Sequence, residues 1–136
     1  MSKEIFPCNV QQFPCRYLGL PLSVKKLPRF AFQELIDKVA DKLPGWKSAL
    51  ITNAGRLTLV KAVLTAIPIY HLLVRLCPKW VIKAIDKIRR GFLWKGRKDI
   101  KGGHCVVGWT RVCRPLNVGG LGIHILEILG WALNVR

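Results

Sequence analysis

Acidic side chains are what this 136-residue chain has least of. Seven Asp and Glu stand against 23 Lys and Arg, a formal net charge of +16 with a pI near 10.3. That scarcity constrains chemistry built on several paired carboxylates and argues against an acidic binder of small molecules. A surplus of this sign selects a polyanionic partner: nucleic acid first, an anionic membrane surface second. The five cysteines, Cys8, Cys15, Cys77, Cys105 and Cys113, include no CxxC spacing and are odd in number. Residues 1–10 carry charge and Pro7 where a secretory leader needs an apolar stretch. Reduced thiols in a nuclear or cytoplasmic protein are therefore expected. No long apolar run is present either. The longest uncharged stretch, residues 62–74, is interrupted by Pro68 and His71. It falls short of the roughly 18–20 residues that span a bilayer, so a buried core helix is expected. Internal repeats and low-complexity tracts are also missing. What remains is 51% hydrophobic, enough to bury a core in one domain or a piece of one.

Apolar periodicity organises most of the chain into helices. Near the start, Pro14, Gly19 and Pro21 break a short apolar segment, which reads as strands over 15–19 and 22–24 joined by a turn. Pro28 sits where helices begin, and Phe32, Leu35, Ile36, Val39, Ala40 and Leu43 then recur on one face. Glu34, Asp37, Lys38 and Asp41 take the other side, and Pro44-Gly45 stops the helix. Thr52 or Asn53 can cap a second helix built on Leu57, Val60, Leu64 and Ile67, which Pro68 is expected to break or kink. Residues 69–76 read as a third, short helix. Pro78 opens a fourth, the most amphipathic of all, ending near Gly91–Gly96. Val81, Ile85, Ile88 and Phe92 stack on its apolar side, with Lys79, Lys83, Lys87 and Arg90 opposite and Asp86 beside them. Residues 97–103 form a basic, glycine-rich loop, and residues 106–109 a short strand or the entry to a helical turn. Residues 114–122 are turn-rich, and 123–135 read as a helix whose apolar end implies a fold continuing beyond it.

Each candidate chemistry has a plainer competitor. His104, Cys105, Cys113 and His124 are zinc-type residues, but they lack the close pairing of structural zinc sites, so buried thiols and a solvated histidine are expected and no metal is assigned. No sequence context singles out a Cys–His nucleophile pair. Two-metal phosphoryl chemistry needs converging carboxylates, whereas Asp37 and Asp41 lie on a solvated face and no Asp-Asp pair exists. No catalytic residue and no cofactor is expected. Gly119-Gly120-Leu-Gly122 lacks the strand–GxGxxG–helix setting of a phosphate loop, which leaves tight backbone packing. The basic stripe on the fourth helix is the sharpest signal. A charged helix face is ordinarily just solvated, but this one lacks alternating acids and belongs to a chain of net +16. Trp46, Trp80 and Trp94 lie beside these charges, as base-stacking groups or as anchors of the core.

Seven short motifs follow one another in a familiar order: Cys15-Arg-Tyr-Leu-Gly-Leu-Pro-Leu-Ser23, Leu43-Pro-Gly-Trp-Lys47, Ala54-Gly-Arg56 with Leu59-Val-Lys61, Ala66-Ile-Pro68, Pro78-Lys79, Phe92-Leu-Trp-Lys-Gly96 and Gly119-Gly-Leu-Gly-Ile123. Over residues 13–131 the chain resembles the C-terminal part of plant LINE-type (non-LTR) retrotransposon reverse transcriptases. The resemblance implies an end-of-palm hairpin in residues 1–27, where Arg16, Tyr17, Leu18 and Gly19 would meet the primer end. It implies a helical thumb over 28–96 and a connection segment, truncated at its C-terminus, over 97–136. The fingers, most of the palm with its metal-binding acids, and the zinc-binding region that often follows are missing from these residues. The expected fold is mainly α, a thumb-like helical bundle with a small N-terminal β-hairpin, forming part of a larger fold.

The expected role is sequence-independent binding of an RNA–DNA or DNA duplex, without polymerase activity, by Arg16, Tyr17, Leu18, Gly19, Trp46, Lys47, Arg56, Lys61, Lys79, Lys83, Lys87, Arg90 and Trp94. The missing palm and fingers of the parent polymerase would be its protein partners, and no small-molecule substrate is expected. The alternatives are an unrelated small basic RNA- or DNA-binding module, or a membrane-surface protein using the fourth helix.

Overall fold

A computed structural model describes residues 10–43, 50–74, 77–96 and 105–135. Of these, 61% are helical and 6% are in strands, so the chain is mainly α with one two-stranded hairpin near its N-terminus. Strands β1 (Cys15–Tyr17) and β2 (Leu20–Leu22) pair antiparallel, Cys15 opposite Leu22 and Tyr17 opposite Leu20. The first strand is shorter than the sequence implies and the second begins two residues earlier, because the turn falls on Leu18-Gly19. Leu18 (φ 51°) and Gly19 (φ 81°) both adopt left-handed conformations, the requirement of the tight I′ class of two-residue hairpin turn. Glycine takes that conformation freely, whereas leucine is strained there.

Helix α1 (Arg29–Asp41) follows Pro28 and buries Ala31, Phe32, Leu35, Ile36 and Val39. Helix α2 (Asn53–Leu59) is capped by Thr52, whose Oγ1 accepts the Gly55 N–H at 3.2 Å. The run then passes through a π-helical turn, Val60–Leu64, into α3 (Ala66–Val74). Pro68, expected to break or kink the helix, does not break it and lies inside this continuous run. The ladder widens just before it: the Thr65 N–H reaches the Val60 carbonyl, five residues back, at 3.0 Å, and Thr65 Oγ1 donates to the same oxygen at 2.7 Å. A π turn of this kind gives a proline room that a strict α-helix denies. The resulting 21-residue stretch, Asn53–Leu73, is long and apolar enough to cross a membrane by length and composition alone. Its Val60, Leu64, Pro68 and Leu72, spaced four apart, are buried among the other helices, and most of the stretch is not.

Helix α4 (Lys79–Lys95) ends on Gly96, left-handed at φ 67°, whose N–H closes on the Phe92 carbonyl at 2.8 Å. A single helical turn, α5 (Trp109–Val112), takes the place of the strand considered for 106–109. After a 3₁₀ turn at Leu116–Val118, the glycine-rich loop is knit by Gly120 N–H to Pro115 O (3.0 Å) and Leu121 N–H to Val112 O (2.9 Å). A β-carbon on Gly120 would overlap the Arg114 backbone, so close packing accounts for that glycine. Helix α6 (Leu126–Asn134) closes the structure, and Asn134 Nδ2 ties it to the Leu72 carbonyl at 2.7 Å.

Helix α1 packs on α4 and α3 on α6, while α2 and the π turn flank α4. One apolar cluster runs from Phe32 to Leu126, with Val39, Val60, Val81, Phe92 and Leu126 wholly enclosed. The hairpin joins this bundle through Arg16, whose Nη2 donates to Glu34 Oε2 (2.8 Å) and Oε1 (3.1 Å) on α1.

Candidate nucleic-acid interface

Burial of Val81, Ile85, Ile88 and Phe92 fixes how α4 is turned. A rotation of about 100° per residue then sends Lys79, Lys83 and Lys87 outward, and all three are exposed. Lys79 has one loose acidic neighbour, Glu127 Oε1 at 3.9 Å. Arg90 departs from the expected stripe. It is half-buried with its Nε enclosed, because the C-terminal third of α4 is covered on more sides and Arg89, Gly91, Phe92 and Leu93 are all buried.

Other residues singled out in the sequence are scattered. Arg16 is taken up by Glu34, while Tyr17 (62% exposed) and Leu18 (73%) stand at the hairpin tip beside Gly19. Arg56 and Trp94 come together: Arg56 Nη1 donates to the Trp94 carbonyl at 3.4 Å, and Trp94 packs half-buried on the core. That contact makes both residues part of the α2–α4 seam. Lys61 lines a different cleft, an apolar groove of about 580 Å³ with Leu116, Ile128 and Ala132. Trp46, Lys47 and His104 lie outside the described residues. Of the remaining zinc-type residues, Cys105 is half-buried, Cys113 buried and His124 exposed. Among the described residues no three His, Cys, Asp or Glu side chains are grouped to hold a metal. Burial pushes the Cys77 and Cys113 thiols up to about 11, so both remain protonated.

The residue that sequence reading missed is Arg89, which is completely buried. Its Nη1 donates to Asp86 Oδ1 at 2.8 Å. Its Nη2 donates to Thr65 Oγ1 at 3.0 Å and to the His124 carbonyl at 2.9 Å. Its guanidinium lies 5.5 Å from the centre of the Trp109 ring. One side chain thus ties together α4, the π turn, α5 and the approach to α6. Burial pushes the Asp86 carboxyl upward, and the charge and hydrogen bond of Arg89 oppose that shift. Burial likewise pulls Arg89 down, with Asp86 opposing. The signal was available: Arg89 follows Ile85 by four residues and therefore lies at the edge of the apolar face.

Comparison with known proteins places the chain beside a plant protein. It is 33% identical over 114 residues to an Arabidopsis thaliana protein named "Putative ribonuclease H protein". The match covers 84% of this chain and 18% of that protein, so the chain spans under a fifth of the relative's length. No protein-family model matches the chain, and no solved structure matches it.

Proposed function

We propose that this chain is a nucleic-acid-binding segment of a retroelement polymerase, gripping a template–primer duplex through its sugar–phosphate backbone and lacking catalytic activity of its own. The observation that carries this reading is the outward line of Lys79, Lys83 and Lys87, held on a helix whose opposite side is locked into the core. Phosphate contacts need only cations on a rigid element and are blind to sequence. The name of the Arabidopsis relative, a ribonuclease H protein, supports a nucleic-acid role and a retroelement origin. The ordered motifs that resemble LINE-type reverse transcriptases support the finer assignment. In that reading, residues 1–27 end the palm, 28–96 form the thumb and 97–136 the connection, in a nuclear or cytoplasmic protein.

The test is a salt titration on two duplexes of unrelated sequence. Three lysine–phosphate contacts contribute about −3 to the slope of log K against log salt, at about −0.9 per contact. Lys83→Glu with Lys87→Glu is expected to flatten the slope by about 2 and to weaken both duplexes alike. An unchanged slope would assign the stripe to solvent alone. The purified chain, given magnesium or manganese, is also expected neither to extend a primer nor to cut an RNA–DNA hybrid. Asp37 and Asp41 are exposed on α1, without a converging third ligand among the described residues. Product above a no-protein control would refute this.

A further inference from the structure

Beside the lysine line, the first turns of α1 and α4 enclose a cleft of about 400 Å³ lined by Arg29, Phe30, Gln33 and Trp80. The Arg29 guanidinium lies 5.7 Å from the centre of the Trp80 ring, and Phe32 meets the same ring edge-on with centroids 6.1 Å apart. Trp80 is therefore held in place while staying 37% exposed. Phe30 is 77% exposed, an aromatic ring left in water on a strongly cationic molecule. The Gln33 amide Nε2 donates to Asp37 Oδ1, 3.1 Å away, and Glu34, the nearest acid along α1, is paired with Arg16 and Lys38. Neither helix carries an acid in its first turn. Trp80, Lys83 and Lys87 are spaced i, i+3, i+7 and so share one side of α4 with the proposed phosphate contacts.

We propose that this cleft takes one unpaired nucleobase, seated between Phe30 and the Arg29–Trp80 stack, from a strand whose phosphates lie along Lys83 and Lys87. The proposal rests on the nucleic-acid reading above and extends it from backbone to base. Aromatic rings and guanidinium planes accept any base face, and paired bases hide theirs in the stack, so the ligand is a single-stranded nucleotide flanking a duplex.

The experiment compares three labelled probes: a blunt duplex, the same duplex with a short single-stranded overhang, and that overhang made abasic. The wild-type chain is expected to bind the base-bearing overhang about tenfold more tightly than the abasic one. Phe30→Ala and Trp80→Ala should each erase that ratio while leaving the blunt-duplex affinity and its salt slope unchanged. Should Trp80→Ala fail to fold, the exposed Phe30→Ala carries the test alone. Ribose and deoxyribose overhangs identify which sugar accompanies the base, and an increment on either supports the site. Equal wild-type affinity for base-bearing and abasic overhangs overturns the proposal, as does an increment that survives Phe30→Ala. Blunt-duplex binding that ignores salt, together with an intact base increment, would instead break the backbone reading and leave this site standing.

Discussion

Helix α4 carries two sets of cations in opposite surroundings. Lys83 and Lys87 stand in water among few acids, while Arg89, two residues further on, is sealed inside the bundle with four partners. The contrast follows from side-chain chemistry. A buried charge is tolerated only where its donors are matched, and the planar guanidinium fork reaches Asp86, Thr65 and a carbonyl simultaneously, which a lysine ammonium does less well. The exposed lysines have no such obligations, and their charge is available to a partner. A count of positive residues therefore overstates the surface charge: Arg89 is spent on holding helices together, Arg16 on Glu34, and Arg56 reaches the backbone of α4.

The sharpest way to break this comparison is to remove a charge from each set. Arg89→Met strands Asp86 in a site already hostile to its charge, and a stability loss of about 3 kcal/mol or more is expected in urea unfolding. Adding Asp86→Leu should recover most of that loss, because neither charge then remains buried alone. Lys87→Met is expected to change stability by no more than about 0.5 kcal/mol. Equal losses from Arg89→Met and Lys87→Met would erase the distinction. The binding assays should give the opposite ranking, with the lysine variants shifting the salt slope and the Asp86–Arg89 double variant leaving it in place.

Periodicity made most of the bundle legible. The spacing of Phe32, Leu35, Ile36 and Val39 marked α1, and Pro78 and Gly96 bracketed α4 closely. The hairpin was legible as a turn signal, but its register was not. The spacing put Gly19 at the end of the first strand, whereas the turn uses Leu18 and Gly19, which shortens the first strand and moves the second two residues earlier. Pro68 marked where the ladder is disturbed, but a lone proline says nothing about how the preceding turn widens, and the π turn at Val60–Leu64 was not legible. In the candidate interface, the outward direction of Lys79, Lys83 and Lys87 was readable from the apolar face they oppose. The burial of Arg90 was not, since it depends on what covers the end of α4. Nor was the cleft at Trp80, because Arg29 and Trp80 are 51 residues apart and meet only through the packing of α1 on α4.

A smaller effect separates buried polar groups that have partners from those that lack them. Arg89 offsets an enclosed, unmatched Nε with hydrogen bonds to Asp86, Thr65 and the His124 carbonyl, whereas His71 on α3 has its Nδ1 enclosed with no hydrogen-bond partner. Burial holds the His71 pKa below the ordinary 6.5, the charge of Lys38 adds to the depression, and Glu34 partly opposes it. The folded chain thus takes up this proton less readily than the unfolded chain. As pH falls through 6.5 the unfolded state protonates first, and His71 withdraws stability progressively until the folded imidazole also titrates. Above pH 6.5 both states are neutral there and the group is silent. His71→Leu should therefore leave the urea midpoint nearly unchanged at pH 7.5 and flatten its decline between pH 6.5 and 5. Parallel wild-type and variant profiles across that window would show that α3 accommodates a charged imidazole, and that an unpartnered nitrogen here carries no cost.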